Sequence, residues 1–527
     1  MLSILALAFS PAVPLQTVGG GWDEQRRFHG PAAQAQDGGR VVMVGDVTGD
    51  GYADFVTASA APFSSYASLR SGKNGQRLVV WQYPSSWQFG AAIAGVKDLD
   101  GDGLRDILIS APQAISAAGN PEGAVFAFSS ASKAELFRID GRWGTDGFGS
   151  SLVVVEDLNR DGIQDYLVGS PWGPNFGRVT AISGRNHSEL YLVTEAGALG
   201  HAIAALDDID GDGVNDFATS APFDGSGGVN RGRIYFYSGA NGDELTGPPI
   251  QSNFSLLGYE LTRVEDVDAD GYSDLLASAG PRDGFVLFSG KSGLVLKEFP
   301  GSSFGRAAAS CDDLTGDGVA DFALAGPGRV SLISGASLEV AAEIHGDPSQ
   351  EFAAALACDG DLNGDGHSEI LIGIPLASSQ PGTLDLDGAT VSYQFEPQLG
   401  ASATQISASA GGALGFRINF PVAAAGEQYR LLLSATGTGP TWRGVEVPLT
   451  VDALTTRSWA GIYWPAKAHQ AHGPLDASGD ARPKLVFPAQ VLSSLVGTDL
   501  YCAAVAHPSG SSLLSRSSVA VPITIVP

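Results

Sequence analysis

Seven nine-residue stretches of this 527-residue chain set oxygen-bearing side chains at their first, third, fifth and ninth positions. Residues 46–54 carry Asp46, Thr48, Asp50 and Asp54, and 98–106 carry Asp98, Asp100, Asp102 and Asp106. Residues 157–165 supply Asp157, Asn159, Asp161 and Asp165, while 208–216 supply Asp208, Asp210, Asp212 and Asp216. In 266–274 they are Asp266, Asp268, Asp270 and Asp274, and in 313–321 they are Asp313, Thr315, Asp317 and Asp321. The last stretch, 361–369, holds Asp361, Asn363, Asp365 and Glu369. Oxygens at alternate positions of one short turn can face a common centre, and the chemistry that asks for six to eight hard oxygen ligands is calcium binding. A backbone carbonyl at the seventh position would complete each set, from Tyr52, Leu104, Ile163, Val214, Tyr272, Val319 and His367. Glycine stands at the sixth position every time, where the chain must turn sharply without a Cβ.

The third position separates the loops. It is charged in the second, fourth and fifth and neutral in the rest, so those three are expected to bind most tightly. Plain Asx turns are the alternative, but they need only one or two such residues per loop. Here alternating oxygens are closed by a carboxylate. These positions hold 24 of the chain's 57 acidic residues, which would repel one another without a counter-ion. Up to seven structural Ca²⁺ are therefore expected, and they would bring the formal charge from -27 to -13. Magnesium suits such cages less, because it keeps more of its waters.

Other chemistry finds little support. The eight histidines are scattered, with none paired at metal-ligand spacing on a helix. The Gly-x-Ser-x-Gly match at 301–305 precedes a strand rather than a helix and is not a nucleophile elbow. No phosphate-binding loop occurs, and no catalytic residue is assigned. An excess of 57 acidic over 30 basic residues excludes a partner recognised through nucleic-acid phosphates. Trp81, Trp87, Trp143 and Trp172 lie in the longer inter-strand segments, where blade packing is the expected role and stacking on a sugar or partner the alternative. Cys311, Cys358 and Cys502 make no disulfide framework and are expected as buried free thiols.

The loops recur every 47 to 59 residues, a period suited to one four-stranded propeller blade. Nine residues before six of them stands Phe89, Phe148, Leu199, Leu257, Phe304 or Phe352, followed by glycine in all but the last; the first copy has Asp37-Gly38 there. After each loop come two mostly apolar residues, such as Ile107-Leu108, then a proline stop such as Ala111-Pro112 or Ser170-Pro171. A third strand of alternating character follows, as in 177–183 and 232–238. This order of Phe-Gly, Asp-rich loop and Gly-Ala-Pro-like stop resembles the FG-GAP repeats of the integrin α-subunit propeller and its bacterial relatives, over roughly residues 20–397. The resemblance implies seven blades and an adhesion role.

An all-β chain is expected: a seven-bladed β-propeller with a small C-terminal β-sandwich-like domain. Residues 22–29 are expected to close the ring as the outer strand of the last blade, beside 389–395. Residues 1–16 read as a signal peptide, 17–397 as the propeller and 398–527 as the C-terminal domain, with 400–412 a small-residue connection. In the last part, 428–434, 484–487 and 519–526 read as strands. No run of 18 apolar residues exists to span a membrane. The expected protein is a monomeric, calcium-binding, secreted or cell-surface module for adhesion or for binding an extracellular protein or glycan. An extracellular polysaccharide-active enzyme and a structural surface scaffold are the rival readings.

Overall fold

Short runs of β-branched and aromatic residues between Gly- and Pro-rich turns favour hairpins, and in the computed structural model of the protein nearly all the regular secondary structure is strand. It describes residues 16–18, 21–31, 35–61, 64–142, 144–173, 177–225, 231–245, 255–280, 284–300, 307–364, 367–379, 386–396, 399–401, 405–420, 424–435, 449, 451–463, 466–477, 479–511, 514, 516–518 and 521–527. Among these, seven small antiparallel sheets succeed one another along the chain. In the first, Arg40–Gly45 pairs with Asp54–Ala61, then Ser64–Arg70, then Arg77–Gln82. The innermost strands are Arg40–Gly45, Ile93–Val96, Ser151–Val155, Ile203–Ala205, Leu257–Val264, Ala308–Ser310 and Ala355–Ala357. Each touches the next, and the last touches the first. The sheets thus close into a ring, the arrangement of a β-propeller.

Packing follows from that closure. Second strands such as Asp106–Ala111 and Asp165–Ser170 are buried along their whole length, since neighbouring sheets cover both faces. Outer strands such as Glu135–Asp140 stay largely half-exposed. Apolar clusters bridge sheets rather than fill one centre: Val56 and Leu69 of the first pack with Ile107 and Phe126 of the second. Phe89, Phe148, Leu199, Leu257 and Phe352 are buried plugs between sheets, while Phe304 lies outside the described residues. The first copy replaces the plug with a polar cluster, in which buried Asp37 accepts hydrogen bonds from Tyr66 Oη (2.7 Å) and Arg70 (3.2 Å). In the fourth sheet three strands are described, and most of the segment expected to hold its outer strand (246–254) lies outside the described residues.

The N-terminal segment supplies the last sheet's outer strand, as expected. Gly21–His29 pairs antiparallel with Ala389–Glu396, Trp22 opposite Phe395 and His29 opposite Ala389. Trp22 meets Phe395 at 4.7 Å, and Phe28 meets Phe55 of the first sheet at 5.0 Å. A further strand was not foreseen: Gln16–Val18 extends the sixth sheet beside Val340–His345. The leader expected at 1–16 lies outside the described residues apart from Gln16.

The thiol expectation is corrected at two cysteines. Cys311 and Cys358 form a disulfide with Cα atoms 4.9 Å apart, whereas Cys502 is buried and free. Both bridged residues follow innermost strands, of the sixth and seventh sheets. Innermost strands converge towards the ring axis, which brings equivalent positions into bridging reach.

Beyond Glu396 two sheets share one apolar core containing Leu414, Phe416, Leu431, Leu485, Cys502 and Ile523, a sandwich-like arrangement. The strands Gln428–Ser434, Lys484–Phe487 and Val521–Val526 stand where expected. The connection expected at 400–412 is corrected: Leu399–Ala401 and Gln405–Ser407 are strands, anchored by buried Leu399 and Ile406 despite their small neighbours. A short helix, Ala453–Trp459, is capped by Asp452 and Thr455. No described helix is long and apolar enough to cross a membrane. Because Trp22 is buried where the ring closes, Trp22→Ala is expected to cost about 3 kcal/mol. Urea unfolding at fixed calcium measures this, and an unchanged midpoint would mean that this strand does not hold the ring shut.

Candidate metal centre

Each nine-residue stretch forms the turn from an innermost strand to the second strand of its sheet, so the turns gather at one end of the ring. The first carboxylate shapes the turn. Asp46 Oδ1 accepts from the backbone N–H of Gly49 (2.7 Å) and Asp50 (3.1 Å), and Oδ2 accepts from Gly51 (2.7 Å). Asp98 and Asp208 repeat the pattern. Asp157, Asp266 and Asp313 accept from the fifth and sixth amides, and Asp361 from Asn363 and Gly364. Such bonds favour the ionised form, and the Gly103 amide leads in holding the Asp98 carboxyl below its ordinary value.

The six described glycines at the sixth position have φ between +86° and +93°, and at five of them a Cβ would meet no atom within 4 Å. Conformation rather than space demands glycine there. The fourth position is also left-handed. Five loops use glycine, but Arg160 (φ +61°) and Ala269 (φ +60°) occupy it in the third and fifth.

The ninth position is the anchor. Asp54, Asp106, Asp165, Asp274 and Glu369 are fully buried, and Asp216 and Asp321 nearly so. One carboxylate oxygen accepts from a backbone N–H early in its own loop: Val47, Leu99, Leu158, Ile209, Val267, Thr315 or Leu362. In six loops the other oxygen accepts from a backbone N–H at the end of the third strand, at Gly72, Ser130, Gly184, Gly239, Gly290 or Gly335. A Cβ at Gly184, Gly239 or Gly290 would fall 1.9 Å from a loop carbonyl oxygen, so the approach is close. The serine just before this residue donates to the fifth-position carboxylate: Ser129 to Asp102, Ser183 to Asp161, Ser238 to Asp212, Ser289 to Asp270 and Ser334 to Asp317. Sequence reasoning missed these serines and glycines. The recurring Ser-Gly at third-strand ends was their signal.

Burial raises the carboxyls of Asp54, Asp106, Asp165 and Asp216 above their ordinary value, and that of Asp274 to about 6. Asp321 rises to about 8, through burial first and repulsion from Asp317 second. Four loops bring three carboxylates together, with ligand atoms within 4.8 Å of one another: Asp98, Asp100, Asp106; Asp208, Asp210, Asp216; Asp266, Asp268, Asp274; and Asp313, Asp317, Asp321. Calcium–oxygen distances of 2.3–2.6 Å put opposite ligands about 5 Å apart, so these clusters could hold such an ion. The first three are the loops with a charged third position. Neutral third positions behave differently. Thr48 and Thr315 turn their hydroxyls to Asp46 (3.4 Å) and Asp321 (3.2 Å), and the Asn363 amide donates to Glu369; Asn159 gives its backbone N–H to Asp165, as charged Asp210 does to Asp216. Tyr52, Leu104, Ile163, Val214, Tyr272 and Val319 each donate a backbone N–H to the fifth-position carboxylate. His367 holds the same place in the seventh loop, and Asp365 lies outside the described residues.

Residues 89–128 and 199–237 match the FG-GAP repeat family. The chain is 28% identical over 292 residues to Integrin alpha-5 of Xenopus laevis, a match covering 50% of this chain and 27% of that relative. With Integrin alpha-PS2 of Drosophila melanogaster it shares 30% identity over 225 residues, 37% of this chain and 15% of that one. The chain therefore spans well under a third of either relative's length. A crystal structure of BBS1N in complex with ARL6DN, soaked with lead, aligns with a TM-score of 0.48 and 12% identity, over 72% of this chain and 98% of that one.

Two outcomes follow. Without metal, folded Asp321 keeps its proton up to about pH 8, whereas in the unfolded chain it ionises near 3.8. The folded state binds the extra proton between those values, so chelated protein should be more stable near about pH 5 than near about pH 8. Asp321→Asn, which keeps only one of the two acceptor oxygens, should lower the melting temperature more in calcium than in EGTA at the higher pH; equal losses in both media would exclude a ligand role. Ala269→Gly, which relieves a left-handed residue, should stabilise by about 1 kcal/mol in urea unfolding, and a loss would show that the methyl group is needed.

Proposed function

Because this chain is an integrin-like FG-GAP repeat protein, we propose that it acts outside the cell as a calcium-stabilised, seven-bladed ligand-binding propeller. The propeller takes the expected 17–397 together with Gln16, which the sixth sheet uses, residues 398–527 form a separate β-rich domain, and a leader ahead of Gln16 directs export. The observation that carries the reading is the convergence of three carboxylates in each of four loops, repeated in register from sheet to sheet. Each loop offers its first, third, fifth and ninth side chains and its seventh carbonyl to one Ca²⁺, a hard-oxygen set suited to that ion. The ion neutralises buried carboxylates that are otherwise pushed towards protonation. Its role is structural. The Cys311–Cys358 disulfide supports an oxidising compartment, in keeping with a secreted or surface location.

With the ions at one end of the ring, the opposite end is free to meet a protein or glycan, which is the adhesion role that the resemblance implies. A site at ten times its dissociation constant adds about 1.4 kcal/mol, and several together rival the roughly 5–15 kcal/mol margin of a typical fold. The full chain is therefore expected to melt at a markedly higher temperature in calcium than in EGTA, and mass spectrometry should count several Ca²⁺ per chain. Identical curves from a sample free of metal would end this reading.

A further inference from the structure

Second strands start at the loops and end at the other face of the ring, where four aromatic rings from neighbouring sheets meet. Trp172 stands two residues beyond Asp165–Ser170, and Phe223 two beyond Phe217–Ala221. His201 precedes the innermost strand Ile203–Ala205, and Tyr259 lies early in Leu257–Val264. Trp172 lies 5.9 Å from His201 and 6.1 Å from Phe223 between ring centroids, and His201 lies 4.5 Å from Tyr259. Trp172 is 51% exposed, Tyr259 41% and Phe223 37%. Trp81 and Trp87, by contrast, pack within the blades: Trp81 is buried against Phe128, and Trp87 stacks near Tyr83. Trp143 lies outside the described residues.

The exposed rings are held in place. The Trp172 backbone N–H donates to Asp146 O (2.9 Å), and the buried Asp146 carboxylate is paired with Arg178 (2.8 Å). Next to Phe223, Asp224 accepts from Tyr235 Oη (2.8 Å). The cluster edges an axial cavity of about 880 Å³, lined by Trp172, His201 and Tyr259 and also by Arg40 and Glu260. That volume falls in the range of small-ligand sites.

We propose that this face binds a neutral oligosaccharide, with sugar rings laid on Trp172, Phe223 and Tyr259 and their hydroxyls reaching Arg40 and Glu260 in the cavity. The inference rests on the ligand-binding reading above and names the ligand class. A pyranose has an apolar C–H face and a polar rim, and an exposed aromatic platform beside a polar well offers both surfaces. The lining sets Arg40 against two carboxyl groups, Glu260 and Glu351, and burial raises that of Glu260 to about 7, so the well holds little net charge, which favours a neutral ligand over a strongly charged one. A purely apolar peptide face would desolvate both charges without offering either a hydrogen bond.

The test is isothermal titration of the full chain, in calcium, with cello-, xylo-, malto-, manno- and chitohexaose. At least one should bind, and Trp172→Ala should weaken it by about tenfold or more while its melting curve stays unchanged; Phe223→Ala serves as a second variant if the first is unstable. No binding by any hexasaccharide, or equal binding by both variants, would overturn the proposal. If the protein still melts in a calcium-dependent way, that failure touches the ligand class alone.

Discussion

The structure depends on a carboxylate with almost no access to water. At the ninth position of each loop, one oxygen holds the turn it closes, and in six loops the other holds the end of the third strand. The same group therefore joins two hairpin connections of a single blade. Burying it is costly unless its charge is met. Backbone N–H groups meet part of it, and the raised carboxyls of Asp274 and Asp321 register what is left over. On the reading proposed above, a divalent ion in the cage would supply the rest. A proton and the proposed calcium ion would then be alternative answers to one electrostatic demand, of which only the ion leaves the carboxylate ionised.

The loops also tie neighbouring blades together. Asp207, just ahead of the fourth loop, accepts from the Ser273 amide (2.7 Å) and from Arg263 (2.9 Å) in the fifth blade. Arg160 of the third loop donates to the Asp212 carbonyl of the fourth (2.7 Å), and the Ala53 amide donates to Asp361 across the seam between the first and last blades (2.8 Å). That seam has further fastenings nearby. Gly21–His29 completes the last sheet, Gln16–Val18 binds the one before it, and the Cys311–Cys358 bridge links those two sheets at the axis. A ring whose ends meet late in the chain needs its ends held, and here the fastenings concentrate where the chain begins and the repeats finish.

What could be read from residues alone was what repeats at fixed spacing. The loops and the Phe-type plugs keep a constant offset and the proline stops a nearly constant one, because each lies within one turn or one strand of the next. The Ser-Gly contact does not, since Gly72 follows Asp54 by 18 residues and Gly335 follows Asp321 by only 14. The variable turn between second and third strands hides it from a count along the chain. The disulfide was missed for a related reason: strand spacing within a sheet says nothing of how closely strands converge around an axis. Residues 400–412 read as a connection because their composition is small, while the burial of Leu399 and Ile406 decides their place.

The two faces of the ring are mechanically joined. The buried strand Asp165–Ser170 begins at the carboxylate that closes the third loop and ends two residues before Trp172; Phe217–Ala221 likewise leads from Asp216 to Phe223. Five or six residues of strand span about 17–20 Å. A second strand buried on both sides has no room to shift sideways, so a loop that loosens must move its strand lengthwise or melt it. Either movement displaces the aromatic ring at the far end. Ions in the proposed cages on one face would thus bear on how rigidly Trp172 and Phe223 are held on the other, without touching them.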